Sequence, residues 1–235
     1  MTGIIFHSMA DSAYLWTAMM IAREKGVPYE LATLEYHSPE HLKLHPFGKM
    51  PVMQHGDVIL YETAAIAHYI DKAFDGPPLQ PLDALGQANT IRWIGIVNAY
   101  VFPVMNKFMK ERLVKPIWNI APDTQFLEAA PDQLALQMRL IEEAVSGGKC
   151  LTGTSYTIAD SFLLPQLLFY GLTPEGNAHL ERSRAAADWL ARMKSRPSFG
   201  ATPIAQAFES MSALPGARRS PPNLALDADI RPRKS

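Results

Sequence analysis

The sequence predicts an α/β unit of order β, α, β, α, β, β, α followed by an all-helical unit, and three observations carry that expectation. Over roughly the first third, short apolar runs alternate with amphipathic ones, as in strands joined by helices. The stretch "DGPPLQPLDALG", Asp75 to Gly86, then concentrates proline and glycine in the way of a linker. From Gln87 onward the long runs have helical period, and none reads as a strand. The length of 235 residues suits one or two domains. The expected division is 1–78 for the α/β unit, 79–86 for the linker, 87–214 for the helical unit and 215–235 for a proline- and arginine-containing tail.

Each element has a local cause. A strand is expected over Gly3 to His7. Asp11 and Ser12 can cap a helix through "AYLWTAMMIAREK", where Leu15, Met19 and Ala22 recur at helical spacing and Gly26 can end it. A second strand falls in "YELATLEY". "SPEHLKL" offers a cap at Ser38, a proline at the first helical position and an acid in the first turn, so it predicts a short helix. Two apolar runs flank His55-Gly56-Asp57 as a hairpin, and "ETAAIAHYIDKAF" is a third helix. In the second unit, breaks are expected at "KPIWNIAPDTQ" and "SGGKCLTGTSY". Thr157 to Asp160 has capping-box spacing before "SFLLPQLLFYGL", which Pro165 should kink.

Composition narrows the partners. Lysine plus arginine number 22 against 23 acidic residues, so no global field favours nucleic acid or an anionic membrane, and a small ligand gains weight. The one cysteine, Cys150, excludes an internal disulfide framework and suits a reducing compartment. No charged, apolar-cored leader opens the sequence and no apolar run approaches a membrane span, so a cytoplasmic location is expected. His37, His41 and His45 are spaced by four, but Pro39 and Pro46 confine the helix between them and no matching cysteine or carboxylate set accompanies them. No metal is expected.

The segment "HPFGKMPVMQHGDVILYET" raises a sharper question, because Pro51 opens a strand although proline lacks the N–H that a sheet ladder uses. On pattern alone it is a strand-entry proline, Glu62-Thr63 is a helix-capping pair and Ser12 is a helix cap. Yet "HPFGKMPV", "YETAAIAHYI", "SYTIADSFLLP" and "WLARMKSRPSF", taken together from about His7 to Phe199, resemble the motifs of the soluble glutathione transferase family. In that family the first domain is thioredoxin-like. This one looks most similar to the serine-type phi, theta and related bacterial groups.

The resemblance implies a site. Pro51 would follow a cis peptide bond, leaving the Met50 N–H and C=O to pair with the cysteinyl part of glutathione as a miniature added strand. Thr63, where the family usually has serine, would hold the γ-glutamyl carboxylate at a helix start, and Glu62 would accept from the neighbouring ammonium. His37 and Lys49 would face the glycyl carboxylate. Aligned through "REKGVPYE", Ser12 falls at the catalytic serine position, with Ser8 and Tyr14 as alternative hydroxyls. Relatives often carry Tyr-Gly where this chain has His7-Ser8, and no cysteine occurs in "MADS" for dithiol chemistry. Met9, Tyr14, Tyr100, Met105, Phe108 and Trp118 would wall a pocket for a small hydrophobic electrophile. The implied activity is glutathione transfer, with glutathione as co-substrate. Peroxide reduction, isomerisation or ether cleavage on the same fold, or a noncatalytic binding protein, are the alternatives. The resemblance also implies a homodimer, built from the third helix and the helix containing "IRWIGIVNAY".

Overall fold

The computed structural model describes residues 3–9 and 12–200, so the Asp11 cap and the 215–235 tail lie outside the described residues. Four strands, β1 (Ile4–His7), β2 (Tyr29–Ala32), β3 (Val52–His55) and β4 (Val58–Leu60), form one sheet in the order β2-β1-β3-β4. β1 pairs parallel with β2, opposing Ile4 to Tyr29, and antiparallel with β3, opposing His7 to Val52. Its central place fits its composition, since Ile4 and Phe6 point one way and are fully buried. The hairpin turns at Gly56 with φ 58° and delivers the short edge strand β4, whose Val58 and Ile59 are exposed.

Helix α1 (Ala13–Lys25) begins where Ser12 Oγ accepts from the Leu15 N–H at 3.3 Å, and ends at Gly26 in the left-handed region. Every residue from Leu15 to Ala22 is buried, as expected of a helix covered on all sides. It packs on α3 (Thr63–Ala73) within the first unit and on α7 (Ile158–Gly171) in the second. Thr17 Oγ1 donates to the Ser161 carbonyl across that junction at 3.0 Å. Helix α2 (Pro39–Leu44) starts as expected, with Ser38 Oγ accepting from the His41 N–H at 3.1 Å and Pro39 at its first position.

The linker is tied down by polar bonds. Asp71 on α3 accepts from the Leu79 N–H at 2.7 Å and from Gln80 Nε2 at 3.0 Å, and Lys25 Nζ lies 3.4 Å from the same carboxylate. Helix α4 (Ala84–Ile96) starts inside the stretch read as linker, because Asp83 Oδ1 accepts from the Gly86 N–H at 2.8 Å and caps it. It runs on through a π-helical turn (Val97–Val101), α5 (Phe102–Met109), a second π turn (Lys110–Val114) and a 3-10 turn (Lys115–Trp118). Each π turn stands just before a proline, Pro103 or Pro116, whose missing N–H and ring crowd the preceding turn.

The break after Trp118 and the one after Val145 fall where proline and glycine predict them, on either side of α6 (Thr124–Val145). Cys150 and Gly153 form an isolated antiparallel bridge within the second break. Helix α7 is the centre of the second unit. It is buried continuously from Ile158 to Leu168, and it runs through Pro165 without interruption as far as Gly171. Asp160 at its start accepts from the Thr157 N–H at 2.9 Å, the Leu151 N–H at 3.0 Å and Trp189 Nε1 at 3.1 Å. Helices α8 (Pro174–Arg182), α9 (Arg184–Lys194) and the short α10 (Pro197–Gly200) complete the described chain. Arg196 grips Glu24 of α1 with two bonds of 2.6 Å each.

Candidate active site

Three loops leave the sheet at the end where β1 finishes and β3 begins. The segment after β1 carries Ser8, Met9 and Ser12, the segment before β3 carries Lys49, Met50 and Pro51, and the turn after β4 carries Glu62. The Met50–Pro51 peptide is cis. The Met9 N–H points at Met50 Sδ, 3.1 Å away, which joins the first loop to the second. Among the described residues, neither the N–H nor the C=O of Met50 enters a backbone hydrogen bond.

The turn at Glu62 departs from expectation in its backbone. Glu62 has φ 69° and ψ 112°, a conformation rare for a residue with a side chain, and its own carboxylate does not cap α3. Among the described residues no side chain accepts from the first N–H groups of that helix, and Thr63, which begins it, is buried. The Glu62 carboxylate bears on two neighbours. Burial first and Glu62 second push the Tyr14 phenol well above its usual range, and Glu62 opposes the downward pull of burial on the His45 imidazole. The Glu62 charge, just before α3, is thus felt by Tyr14 in the first turn of α1.

The three candidate hydroxyls differ in what they do with their protons. Ser8 is buried and donates to the Met9 carbonyl at 3.1 Å. Tyr14 donates to Asn98 Oδ1, in the first π turn, at 2.9 Å, and its ring lies against Phe102 and Phe162. Ser12 accepts from a backbone N–H, and among the described residues its hydroxyl proton has no acceptor. The chain's own thiol offers no alternative: Cys150 is buried, and burial, with Asp160 nearby, pushes it up to about 11.

On the other side of the cis-proline loop, the His37 ring stacks on Tyr36 with centroids 4.1 Å apart. Gly48 makes room for it, since a methyl group there would come within 2.4 Å of His37 Cδ2. The His41 ring takes the His37 N–H on Nδ1 at 3.1 Å and meets the Lys49 carbonyl through Nε2 at 2.9 Å, so both its nitrogens are engaged by backbone. Among the described residues no cluster of three or more His, Cys, Asp or Glu side chains is arranged to hold a metal ion.

The proposed pocket wall divides. Met9 and Tyr14 are partly buried, and Tyr100 is 61% exposed. Met105 and Phe108 are 1% and 0% exposed, and Phe108 packs on Phe126 and Tyr170, so these two belong to the core of the helical unit and not to an open wall. Trp118 ends the 3-10 turn, and its side chain lies outside the described part of the structure. Sequence reasoning missed His41, Gly48 and Asn98. A buried histidine four residues into "SPEH" and a glycine between Pro46 and Pro51 were the available signals.

The sheet order, the cis-proline loop and the bare start of α3 define a thioredoxin-like unit joined to a helical one. Residues 6–78 match the family described as glutathione S-transferase, N-terminal domain. Glutathione S-transferase 3 of Zea mays is 30% identical over 210 residues, covering 86% of this chain and 94% of that protein. Glutathione S-transferase F7 of Arabidopsis thaliana is 28% identical over 205 residues, covering 84% and 98%. A solved structure of glutathione S-transferase III in its apo form superposes with a TM-score of 0.78 at 25% identity, covering 92% of this chain and all of that one. The chain belongs to the glutathione S-transferase family. Among the described residues no helix is long and apolar enough to cross a membrane.

Proposed function

We propose that this chain is a cytoplasmic glutathione transferase of the serine-type phi and theta groups, which ionises the thiol of bound glutathione at Ser12 and delivers the sulfur to a small hydrophobic electrophile. Residues 1–78 hold glutathione and 87–214 supply the second-substrate side. One observation carries the reading: the segment leading into α1 is joined to the cis Met50–Pro51 loop through the Met9 N–H and Met50 Sδ, and among the described residues Ser12 is the one of the three candidate hydroxyls whose proton has no acceptor. The Met50 N–H and C=O pair with the cysteinyl backbone, the bare N–H groups and hydroxyl at Thr63 take the γ-glutamyl carboxylate, and Glu62 accepts from the ammonium. His37 and Lys49 face the glycyl carboxylate.

A free thiol with pKa about 8.5 is only a few per cent ionised at neutral pH. Lowering it by about two units takes about 2.7 kcal/mol. A hydrogen bond from Ser12 Oγ to the sulfur anion supplies about 1.5–3 kcal/mol, and the start of α1 about 0.3–1 kcal/mol more. The sulfur so formed faces Met9, Tyr14 and Tyr100, an apolar and adaptable set. Assay of the purified chain with glutathione against a panel of electrophiles tests the reading. Glutathione binding without turnover on any of them would favour a noncatalytic binding protein.

Glu62 should hold peptide and not activate sulfur. Glu62→Gln is expected to weaken glutathione binding about 10-fold by removing the charge partner of the ammonium, with the bound thiol pKa unchanged. Calorimetry showing parental affinity would remove Glu62 from the site. The chain is further proposed to be a homodimer, with α3 and α4 as the contact elements. Exposed Leu85 and Ile91 on α4, with Tyr100 just beyond it, support that assignment. Light scattering across a dilution series should give twice the chain mass, and a single-chain mass at micromolar concentration would reject the dimer.

A further inference from the structure

The geometry points to His41 as a positioning residue that sets the glycyl end of the glutathione site, an inference that rests on the glutathione reading above. His41 is fully buried and touches two separate parts of the loop through its two ring nitrogens. The backbone N–H of His37 can only donate, so Nδ1 must be unprotonated. The Lys49 carbonyl can only accept, so Nε2 must carry the proton. Only the neutral Nε2–H form of the ring satisfies both bonds.

What the ring holds is conformationally demanding. His37 has φ 60°, unusual for a residue with a Cβ, and its N–H has this imidazole as its acceptor. Its side chain is then gripped between the Tyr36 ring and the bare backbone of Gly48. Lys49 stands directly before Met50. One imidazole therefore spaces His37 from the segment that lies along the peptide, and it does so where lost hydrogen bonds cannot be replaced by bulk water.

The two bonds can be removed one at a time. Asparagine places an acceptor where Nδ1 stands, and glutamine places a donor where Nε2 stands. His41→Gln therefore loses the His37 bond, and His41→Asn keeps it. The experiment compares the affinity of each variant for glutathione and for γ-glutamylcysteine, which lacks the glycyl residue. His41→Gln is expected to reduce the preference for glutathione over the dipeptide about 10-fold, raising KM for glutathione with kcat little changed. His41→Asn, which keeps the His37 bond and gives up the Lys49 one, should lose less of that preference. An equal loss on both peptides, an unchanged preference in His41→Gln, or a larger loss of preference in His41→Asn than in His41→Gln overturns the inference. On the parent chain, nitrogen NMR of the imidazoles should show His41 neutral and protonated on Nε2, whether or not the variants fold. A charged ring or the Nδ1–H form overturns it equally. Failure of the parent to bind glutathione is read before any variant is made, and overturns the functional reading together with this one.

Discussion

Replacing Ser12 by alanine should lower turnover about 10- to 1,000-fold, equivalent to about 1.4–4 kcal/mol of lost transition-state stabilisation, while glutathione affinity falls far less. The asymmetry follows from the geometry. The hydroxyl proton is not used within the described structure, so under the proposed mechanism its loss would cost the sulfur anion a donor without leaving the peptide's backbone contacts unpaired. The same side chain caps α1, so alanine also removes a cap worth about 1 kcal/mol of stability. That second effect appears in a melting curve, and the first in titration of the bound thiolate absorbance, where the thiol pKa should rise. An unchanged thiol pKa would sink the serine mechanism. Ser8 and Tyr14 are poor replacements, since each already spends its proton on a protein acceptor.

The largest expected effect on stability lies far from the sulfur, at Asp160. Its carboxylate is buried and takes three N–H donors from three places: the loop at Leu151, the cap at Thr157 and Trp189 on α9. Asp160→Asn keeps the shape but turns one acceptor oxygen into an NH2 group, so at least one buried donor faces another donor. At about 1–3 kcal/mol for each unsatisfied buried donor, a loss of about 3 kcal/mol is expected. Urea unfolding should show a lower midpoint at unchanged slope. A loss below about 1 kcal/mol would mean that the Thr157 N–H bond, the one given up when the amide oxygen serves Leu151 and Trp189, contributes little.

The elements legible in the sequence are those whose causes act within a few residues. Ser12 and Ser38 start their helices through their hydroxyls and Gly26 ends α1 in the left-handed region, and the turn at Gly56 sits between the strands that the two flanking apolar runs predict. The start of α4 was obscured because the prolines around Asp83 outweighed its capping spacing. The faces of the long helices were harder to read, since periodicity says that Met105 and Phe108 are turned away from solvent but not what covers them. The covering residues, Phe126 and Tyr170, come from α6 and α7. The cis bond before Pro51 followed from resemblance alone. The positive φ angles of His37 and Glu62 had no local signal, because neither position is a glycine and neither lies in a turn that the sequence marks.

Helix α1 is shared property. Its first-unit side chains end in the second: Tyr14 against Phe102 and Phe162, Trp16 against Phe169 and Phe199, Thr17 on the Ser161 carbonyl. Cutting the chain at the linker would strip aromatic faces bare and leave the first unit with a sticky flank. Recombination between relatives is constrained in the same way. A helical half from a relative can be grafted onto this first unit only if it brings matching surfaces on α5, α7 and α10, so single substitutions around the proposed site are more readily accommodated than an exchange of halves.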